Sequence, residues 1–147
     1  MIRFVDLGAG GVVLGAFTHP PKHAYALRTV VIVAGPEDLG AGEAGVTEPQ
    51  PSAFFTTAMV DGAGMLVARP MGPVPVASAG QIVVPACPAG TRIEVFDMVG
   101  RERLALEISV PEGWSDTYSF PDAGRYRVEV EPPAPWLPSA VEIEVAP

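Results

Sequence analysis

The chain has 147 residues, a net charge of −8 and one cysteine, and 48% of its residues are hydrophobic. This composition excludes a disordered chain and an internal disulfide, and 17 prolines with 16 glycines leave little room for long helices. The acidic balance, with Lys22 as the only lysine, disfavours nucleic acid because no basic stripe would release counterions from a phosphate backbone.

The first residues, MIRFVDLGAGGVVLG, are apolar but interrupted by Asp6. No run reaches the length of a membrane span or a signal sequence, so we expect neither membrane insertion nor secretion. Alternating side chains predict strands at residues 2–7 and 12–18, paired across the glycine turn at 8–11. This turn lacks the lysine and the following helix of a phosphate-binding loop.

Two histidines, His19 and His23, follow in HPPKH. Their spacing of four suits zinc binding from one helix face, but Pro20 and Pro21 between them argue against a helix. We therefore predict a loop here and no metal site.

Residues 24–34 include the most apolar stretch of the chain, Val30 to Ala34. A run without alternation predicts a strand that is buried on both faces or packed at a subunit interface. Residues 35–52 lack aromatics and carry several glycines, prolines and acids, which predicts a mobile loop. Residues 53–60 and 65–69 flank DGAG and predict a hairpin.

Residues 70–90 alternate prolines with small apolar residues, which predicts an edge strand or connector with a short strand at 81–84. The cysteine, Cys87, lies in this segment. It is flanked by prolines rather than by a strand-to-helix elbow, so we expect a partly buried structural thiol and not a nucleophile.

From residue 91 the apolar positions alternate with charged ones. The residues predicted to point inward are Ile93, Val95, Leu104, Leu106, Ile108, Val110, Tyr126, Val128, Val130, Val141, Ile143 and Val145. The glutamates predicted on the solvated side are Glu94, Glu107, Glu129, Glu142 and Glu144. Placed there, these carboxylates favour soluble strand faces over glycoside hydrolysis, and Arg125 and Arg127 can pair with them across strands.

Aromatic residues supply the candidate binding site. Trp114, Tyr118 and Phe120 share one parity, and Trp136 lies in the proline-rich loop PPAPWLPS. Tryptophans held rigid and exposed stack on sugar rings, so Trp136 and Trp114 are the predicted binding residues. The alternative is that both tryptophans cap the core.

The stretch Asp122-Ala123-Gly124-Arg125-Tyr126-Arg127-Val128 resembles the D-x-G-x-Y-x-C segment of immunoglobulin-type β-sandwiches, with Val128 in place of the cysteine. The resemblance implies an immunoglobulin-like sandwich over residues 91–147, in which five strands are predicted. It also implies that the Tyr126 hydroxyl bonds back to upstream backbone as a tyrosine corner. The G-x-Y-x-V-x-V pattern is also similar to transthyretin-like and carboxypeptidase-regulatory modules.

The predicted fold is all-β, with an N-terminal β region at 1–90 and the sandwich at 91–147. The order of parts, a VDGAGMLV hairpin, proline-rich connectors and a closing F-x-x-x-G-x-Y-x-V-x-V module, is similar to small accessory proteins of bacteriophage virions and tails. That resemblance implies a non-enzymatic structural protein of the virion, without cofactors, whose partners are other virion proteins or copies of itself.

In this hypothesis the chain docks through its N-terminal segment and the apolar strand at 30–34. One alternative is a carbohydrate-binding module that recognises a surface glycan through its tryptophans. Another is an enzyme that uses Cys87 or the histidine pair.

Overall fold

The computed structural model of the chain describes residues 2–19, 28–34, 39–40, 42–46 and 50–147. These residues form thirteen strands and two short 3₁₀ helices, which confirms the all-β prediction. The chain divides into two compact units, Met1–Pro70 and Met71–Pro147. Among the described residues, no helix is long and apolar enough to span a bilayer.

The described residues of the first unit form six strands. They are β1 (Phe4–Leu7), β2 (Val13–Phe17), β3 (Arg28–Ala34), β4 (Glu43–Val46), β5 (Ala58–Val60) and β6 (Leu66–Ala68). Four of them form a sheet in the order β2-β1-β3-β4, in which only the β3–β4 pair is parallel. The predicted pairing of β1 with β2 across the glycines is confirmed, and a 3₁₀ turn at Ala9–Gly11 makes the connection.

The hairpin predicted around DGAG is confirmed by β5 and β6. The Asp61 carboxylate oxygen Oδ1 accepts from the backbone N–H groups of Ala63 (2.9 Å) and Met65 (3.0 Å), which closes the turn. Gly64 in this turn has a φ of 81°, a conformation in which glycine carries no steric cost.

The strand predicted at 53–60 is wrong over most of its length, because Ser52–Thr57 is a 3₁₀ helix. Thr56 Oγ1 donates to the carbonyl of Ala53 at 2.7 Å within this helix. In a strand, consecutive aromatics would point to opposite faces. In the 3₁₀ helix Phe55 is buried and Phe54 packs against the same core cluster, so both rings leave water.

The apolar strand predicted at 24–34 is β3, although residues 24–27 lie outside the described part of the chain. Ile32 packs against the core, whereas Val31 on the opposite face is 41% exposed. Burial on both faces is therefore wrong at Val31, although Asp6 of β1, which shares this face of the sheet, is only 2% exposed. The interface alternative stays a prediction.

Part of the loop predicted at 35–52 also falls outside the described residues, and Glu43–Val46 within it is strand β4. This strand pairs in parallel with β3, an arrangement that period-2 patterning alone does not reveal. Its Ala44 is fully buried in the core of the unit.

The second unit contains seven strands. They are β7 (Val76–Ser78), β8 (Gln81–Cys87), β9 (Arg92–Asp97), β10 (Glu102–Glu107), β11 (Trp114–Ser119), β12 (Gly124–Glu131) and β13 (Ser139–Val145). They form two antiparallel sheets in the orders β11-β8-β7 and β10-β9-β12-β13. Both sheets contribute to one core cluster, whose buried members are Ile82, Val84, Cys87, Ile93, Val95, Val110, Phe120, Tyr126, Val128 and Val130. The five strands expected after residue 91 are present.

The structural division after Pro70 differs from the boundary predicted after residue 90, because β8 pairs with β11 of the second unit. The strand expected at 81–84 extends to Cys87 and includes Pro85. Proline has no N–H to donate to a ladder. The register of β8 with β11 shifts between Val84 and Cys87, so the irregularity accommodates the proline.

The prediction of which residues point inward is mostly wrong in and directly after β10. The sequence places four aliphatic residues on the core side: Leu104, Leu106, Ile108 and Val110. Only Val110 is buried, whereas Leu104 is 48% and Ile108 is 70% exposed. The register of β10 with β9 shifts between Arg103 and Ala105, so Ala105 lies opposite the buried Val95. A β-bulge inverts the faces of the strand beyond it, and simple alternation does not reveal it.

The alternation predicted for β12 and β13 is confirmed. Tyr126, Val128 and Val130 are buried, and the aliphatic residues of β13 pack against the same cluster. The Tyr126 hydroxyl donates to the backbone carbonyl of Asp122 at 3.1 Å, as predicted, and its ring stacks on Phe120 at a centroid distance of 4.3 Å. Burial raises the pKa of Tyr126, so this hydroxyl stays protonated.

Candidate binding site

The Cys87 side chain is buried at 2% exposure, and its thiol donates to the carbonyl of Pro85 at 3.2 Å. Burial raises the pKa of this thiol above its ordinary value of about 8.5. A thiol that stays protonated is a poor nucleophile, so the burial of Cys87 favours the structural role that its sequence context predicts.

Of the two histidines, only His19 lies in the described part of the chain. His19 lies against the Thr18 hydroxyl, with 3.0 Å between its Nδ1 and Oγ1, and His23 lies outside the described residues. Within the described part of the chain, no three His, Cys, Asp or Glu side chains cluster as a metal site.

Three of the five glutamates predicted to face solvent, Glu94, Glu129 and Glu142, form ion pairs. Glu94 bridges Arg92 at 2.9 Å and Arg103 at 3.5 Å, and the hydrogen bond from Arg92 lowers the pKa of Glu94. Arg127 pairs with Glu129 at 2.8 Å and with Glu142 of the neighbouring strand at 3.4 Å. A carboxyl with a lowered pKa stays ionised at neutral pH and donates no proton.

The two predicted binding tryptophans occupy different environments. Trp114 is the first residue of β11, lies opposite Cys87 in register and packs against the core cluster. It is accordingly a core-capping residue. Trp136 lies in the loop between β12 and β13, where its backbone N–H donates to the carbonyl of Pro133 at 3.2 Å.

An open cleft of about 430 Å³ lies beside Trp136. The residues that give this cleft its chemistry are Met71, Pro73, Pro85, Pro88, Glu112 and Trp136, and Cys87 also lines it. We call it the Trp136 cleft. Trp136 is predicted from the sequence, whereas Met71 and Glu112 are not, because neither belongs to a motif and the fold alone brings them together.

One wall of the Trp136 cleft is formed by the start of the second unit against the segment after Trp136. Met71 forms a parallel bridge with Leu137, and the Ser139 hydroxyl donates to the carbonyl of Pro73 at 2.8 Å. A Cβ on Gly72 would come within 2.6 Å of the Leu137 carbonyl oxygen. Glycine is therefore required for this close approach.

The opposite wall comes from the end of β8 and the turn before β11. The N–H of Gly113 donates to the carbonyl of Cys87 at 2.9 Å, and Glu112 Oε2 accepts from the N–H of Ala89 at 2.8 Å. These bonds fix the Glu112 carboxylate at the cleft, where it has capacity for further donors.

The walls of the Trp136 cleft offer few polar groups. Its prolines have no N–H, and the carbonyls of Pro73, Pro85 and Cys87 already accept hydrogen bonds from the protein. Such a surface suits an apolar or cationic group better than a ligand with many hydroxyls, which would lose water without regaining partners.

The first unit presents a second candidate surface, which we call the N-terminal apolar surface. Leu14 on β2 is 60% exposed and lines a cleft of about 400 Å³ together with Ile2 and Phe55. On the sheet face away from the core, Val31 of β3 lies directly opposite Phe4 of β1.

Comparison of the chain with protein-family models, with characterised proteins and with solved structures gives no match.

Proposed function

We propose that this protein is a non-enzymatic structural and binding component of a bacteriophage-type virion, as a tail, fibre or capsid-decorating accessory that docks on a larger assembly. The observation that carries the proposal is the N-terminal apolar surface, with Leu14 at 60% and Val31 at 41% exposure. Val31 belongs to the strand from which docking is predicted. The order of sequence parts that resembles small virion accessory proteins supports the same function.

A partner that covers exposed aliphatic side chains stabilises the complex by removing them from water. The gain is about 25 cal/mol for each Å² of apolar surface removed from water.

Several features of the second unit support the proposal of an immunoglobulin-type module. Its seven antiparallel strands lie in sheets of four and three around one core, and Tyr126 bonds back to Asp122 at the start of β12. These features support the resemblance drawn from residues 122–128. Modules of this type serve many unrelated functions, so function is argued from surfaces and not from the fold.

The docking experiment is cosedimentation of the tagged chain with particles produced from the genome that encodes it. We expect the unaltered chain to sediment with the particles or to form a defined oligomer at micromolar concentration. Leu14→Glu combined with Val31→Glu should abolish attachment, because each change places a charge in the contact. Ile108→Glu, at an exposed position of the second unit, is the matched control and should leave attachment unchanged.

A chain that stays monomeric and fails to sediment with the particles would overturn this function. Attachment that survives both N-terminal substitutions would instead show that docking uses another surface. Circular dichroism of each variant reports whether the fold is retained.

The second candidate function is carbohydrate binding. The ring of Trp136 beside an open cleft favours it, because tryptophan rings stack on sugars, whereas the few polar groups of the cleft walls disfavour it. Binding of a glycan on an array, lost in Trp136→Ala and retained in Trp114→Phe, is the expected result. Silence on the array, or binding that survives Trp136→Ala together with Trp114→Ala, rules this mechanism out.

A further inference from the structure

The second unit is strongly acidic. Residues 71–147 contain eleven Asp or Glu residues and five Arg residues, a net charge of −6. Among the residues that line the Trp136 cleft, Glu112 is the only Asp, Glu, Lys or Arg. The field of the unit and the charge at the cleft therefore both attract a cation.

Trp136, Met71 and Glu112 together suit one kind of side chain. An arginine or lysine places its cation over an aromatic ring, most favourably over tryptophan. Its aliphatic stem packs on apolar surface, which Met71, 68% exposed, and the cleft prolines provide. The Glu112 carboxylate accepts from the same cation in a charge-assisted hydrogen bond.

We propose that the Trp136 cleft binds an arginine or lysine side chain from an extended segment of a partner protein. This inference rests on the proposed function, for which it names the chemistry of one contact. An acidic segment is repelled by Glu112, and a glycan lacks the positive charge that the cleft and its unit favour.

The probe is the pentapeptide acetyl-Gly-Pro-Arg-Pro-Gly-amide, and its citrulline analogue is the matched neutral ligand. Titration of the full chain follows tryptophan fluorescence in a Trp114→Phe background, so that Trp136 alone reports. We expect the arginine peptide to bind about fivefold or more tightly than the citrulline peptide. Raising the salt concentration should weaken the arginine complex.

Three variants distinguish a loss of binding at the cleft from a loss of the folded structure. Glu112→Gln keeps an acceptor for the Ala89 N–H while removing the charge, and Met71→Lys adds a repulsive charge at an exposed position. Both should weaken the arginine peptide severalfold, and Trp136→Ala, followed by calorimetry, should abolish its binding. Glu144→Gln removes the same charge from an exposed position of β13 and should leave the affinity nearly unchanged.

Equal affinity for the arginine and citrulline peptides would overturn the inference, as would no binding at millimolar peptide. Binding that is unaffected by Glu112→Gln and Met71→Lys would overturn it even if Trp136→Ala fails to fold. Leu14→Glu with Val31→Glu should bind the peptide normally, so failure of the docking proposal and failure of this inference are distinguishable.

Discussion

The two units of this protein differ in how the faces of their sheets are covered. In the second unit two sheets face each other, so the inward side chains of each are covered by the other. In the first unit a four-stranded sheet packs its Val5 and Ile32 face on the core, while Val31 on the other face is left partly exposed. The comparison teaches that the second unit closes its core between two sheets and leaves aliphatic residues such as Val76 and Ile108 exposed outside that core, whereas the first unit exposes Leu14 and Val31, which a partner can cover.

The largest expected effect tests whether each unit has a core of its own. Leu7→Ala in the first unit and Ile93→Ala in the second remove side chains that are almost fully buried. Each should lower the free energy of unfolding by about 2–5 kcal/mol. Both tryptophans lie in the second unit, so urea unfolding by fluorescence reports Ile93→Ala, and amide exchange in β1 reports Leu7→Ala.

Ile108→Ala is the control for this pair and should change stability by less than about 0.5 kcal/mol, because Ile108 is mostly solvated. A cost for Ile108→Ala equal to that of Ile93→Ala would contradict the bulge in β10. A negligible cost for Leu7→Ala would remove the basis for treating the first unit as a packed one.

The next effect concerns the wall of the Trp136 cleft. Gly72→Ala should destabilise the second unit by about 1–3 kcal/mol, because the added Cβ would meet Leu137 O at 2.6 Å and Pro132 Cγ at 2.8 Å. Gly62→Ala in the hairpin of the first unit meets nothing within 4 Å and is the matched control. Thermal unfolding of the two variants measures the difference, and equal midpoints would contradict the close approach at Gly72.

A smaller effect distinguishes two tyrosines of the second unit. Tyr126→Phe removes the hydrogen bond to Asp122 and should cost about 1 kcal/mol. The Tyr118 hydroxyl is buried without a partner among the described residues, and burial together with Asp116, Glu107 and Cys87 raises the pKa of Tyr118 to about 12.

Tyr118→Phe should therefore be neutral or stabilising, since it removes a buried hydroxyl that makes no bond in the described part of the chain. Urea denaturation of the two variants at pH 7 provides the measurement. A larger loss for Tyr118→Phe than for Tyr126→Phe would reverse the assignment of roles.

The smallest effect is a pH dependence from Glu94. The hydrogen bond from Arg92 lowers the pKa of Glu94 in the folded state, with Arg103 adding to the effect. Its contribution to stability is thus present above the unfolded-state pKa of about 4.3 and is lost as the pH falls through the lower folded value. Glu94→Gln should flatten the stability curve between pH 5 and the acid limit, relative to Glu131→Gln, and parallel curves would contradict this coupling.

Local patterns predicted those parts of the fold that local physics determines. Period-2 alternation placed Tyr126, Val128 and Val130 inward, and glycines and aspartate predicted the two hairpins of the first unit. Pro85 concealed the length of β8, because an irregular register accommodates a proline that a regular central strand would reject. The bulge in β10 inverted Leu104 and Ile108 for the same kind of reason, since a register shift depends on the partner strand.

The candidate site was only partly predictable. The prolines around Trp136 indicated a rigid aromatic, and this residue does line a cleft. Met71 and Glu112 join it through a parallel bridge and a turn between distant segments, and no spacing in the sequence encodes those contacts.

The bulge in β10 has a consequence for solubility. Among the described strands β10 pairs with β9 alone, so it is an outer strand, and regular outer strands are templates for edge-to-edge polymerisation. The bulge disrupts the regular ladder that an incoming strand would need, and Glu102 and Glu107 place like charges at its two ends. The irregularity that turns Leu104 toward water is thus also the feature that guards the sheet against aggregation.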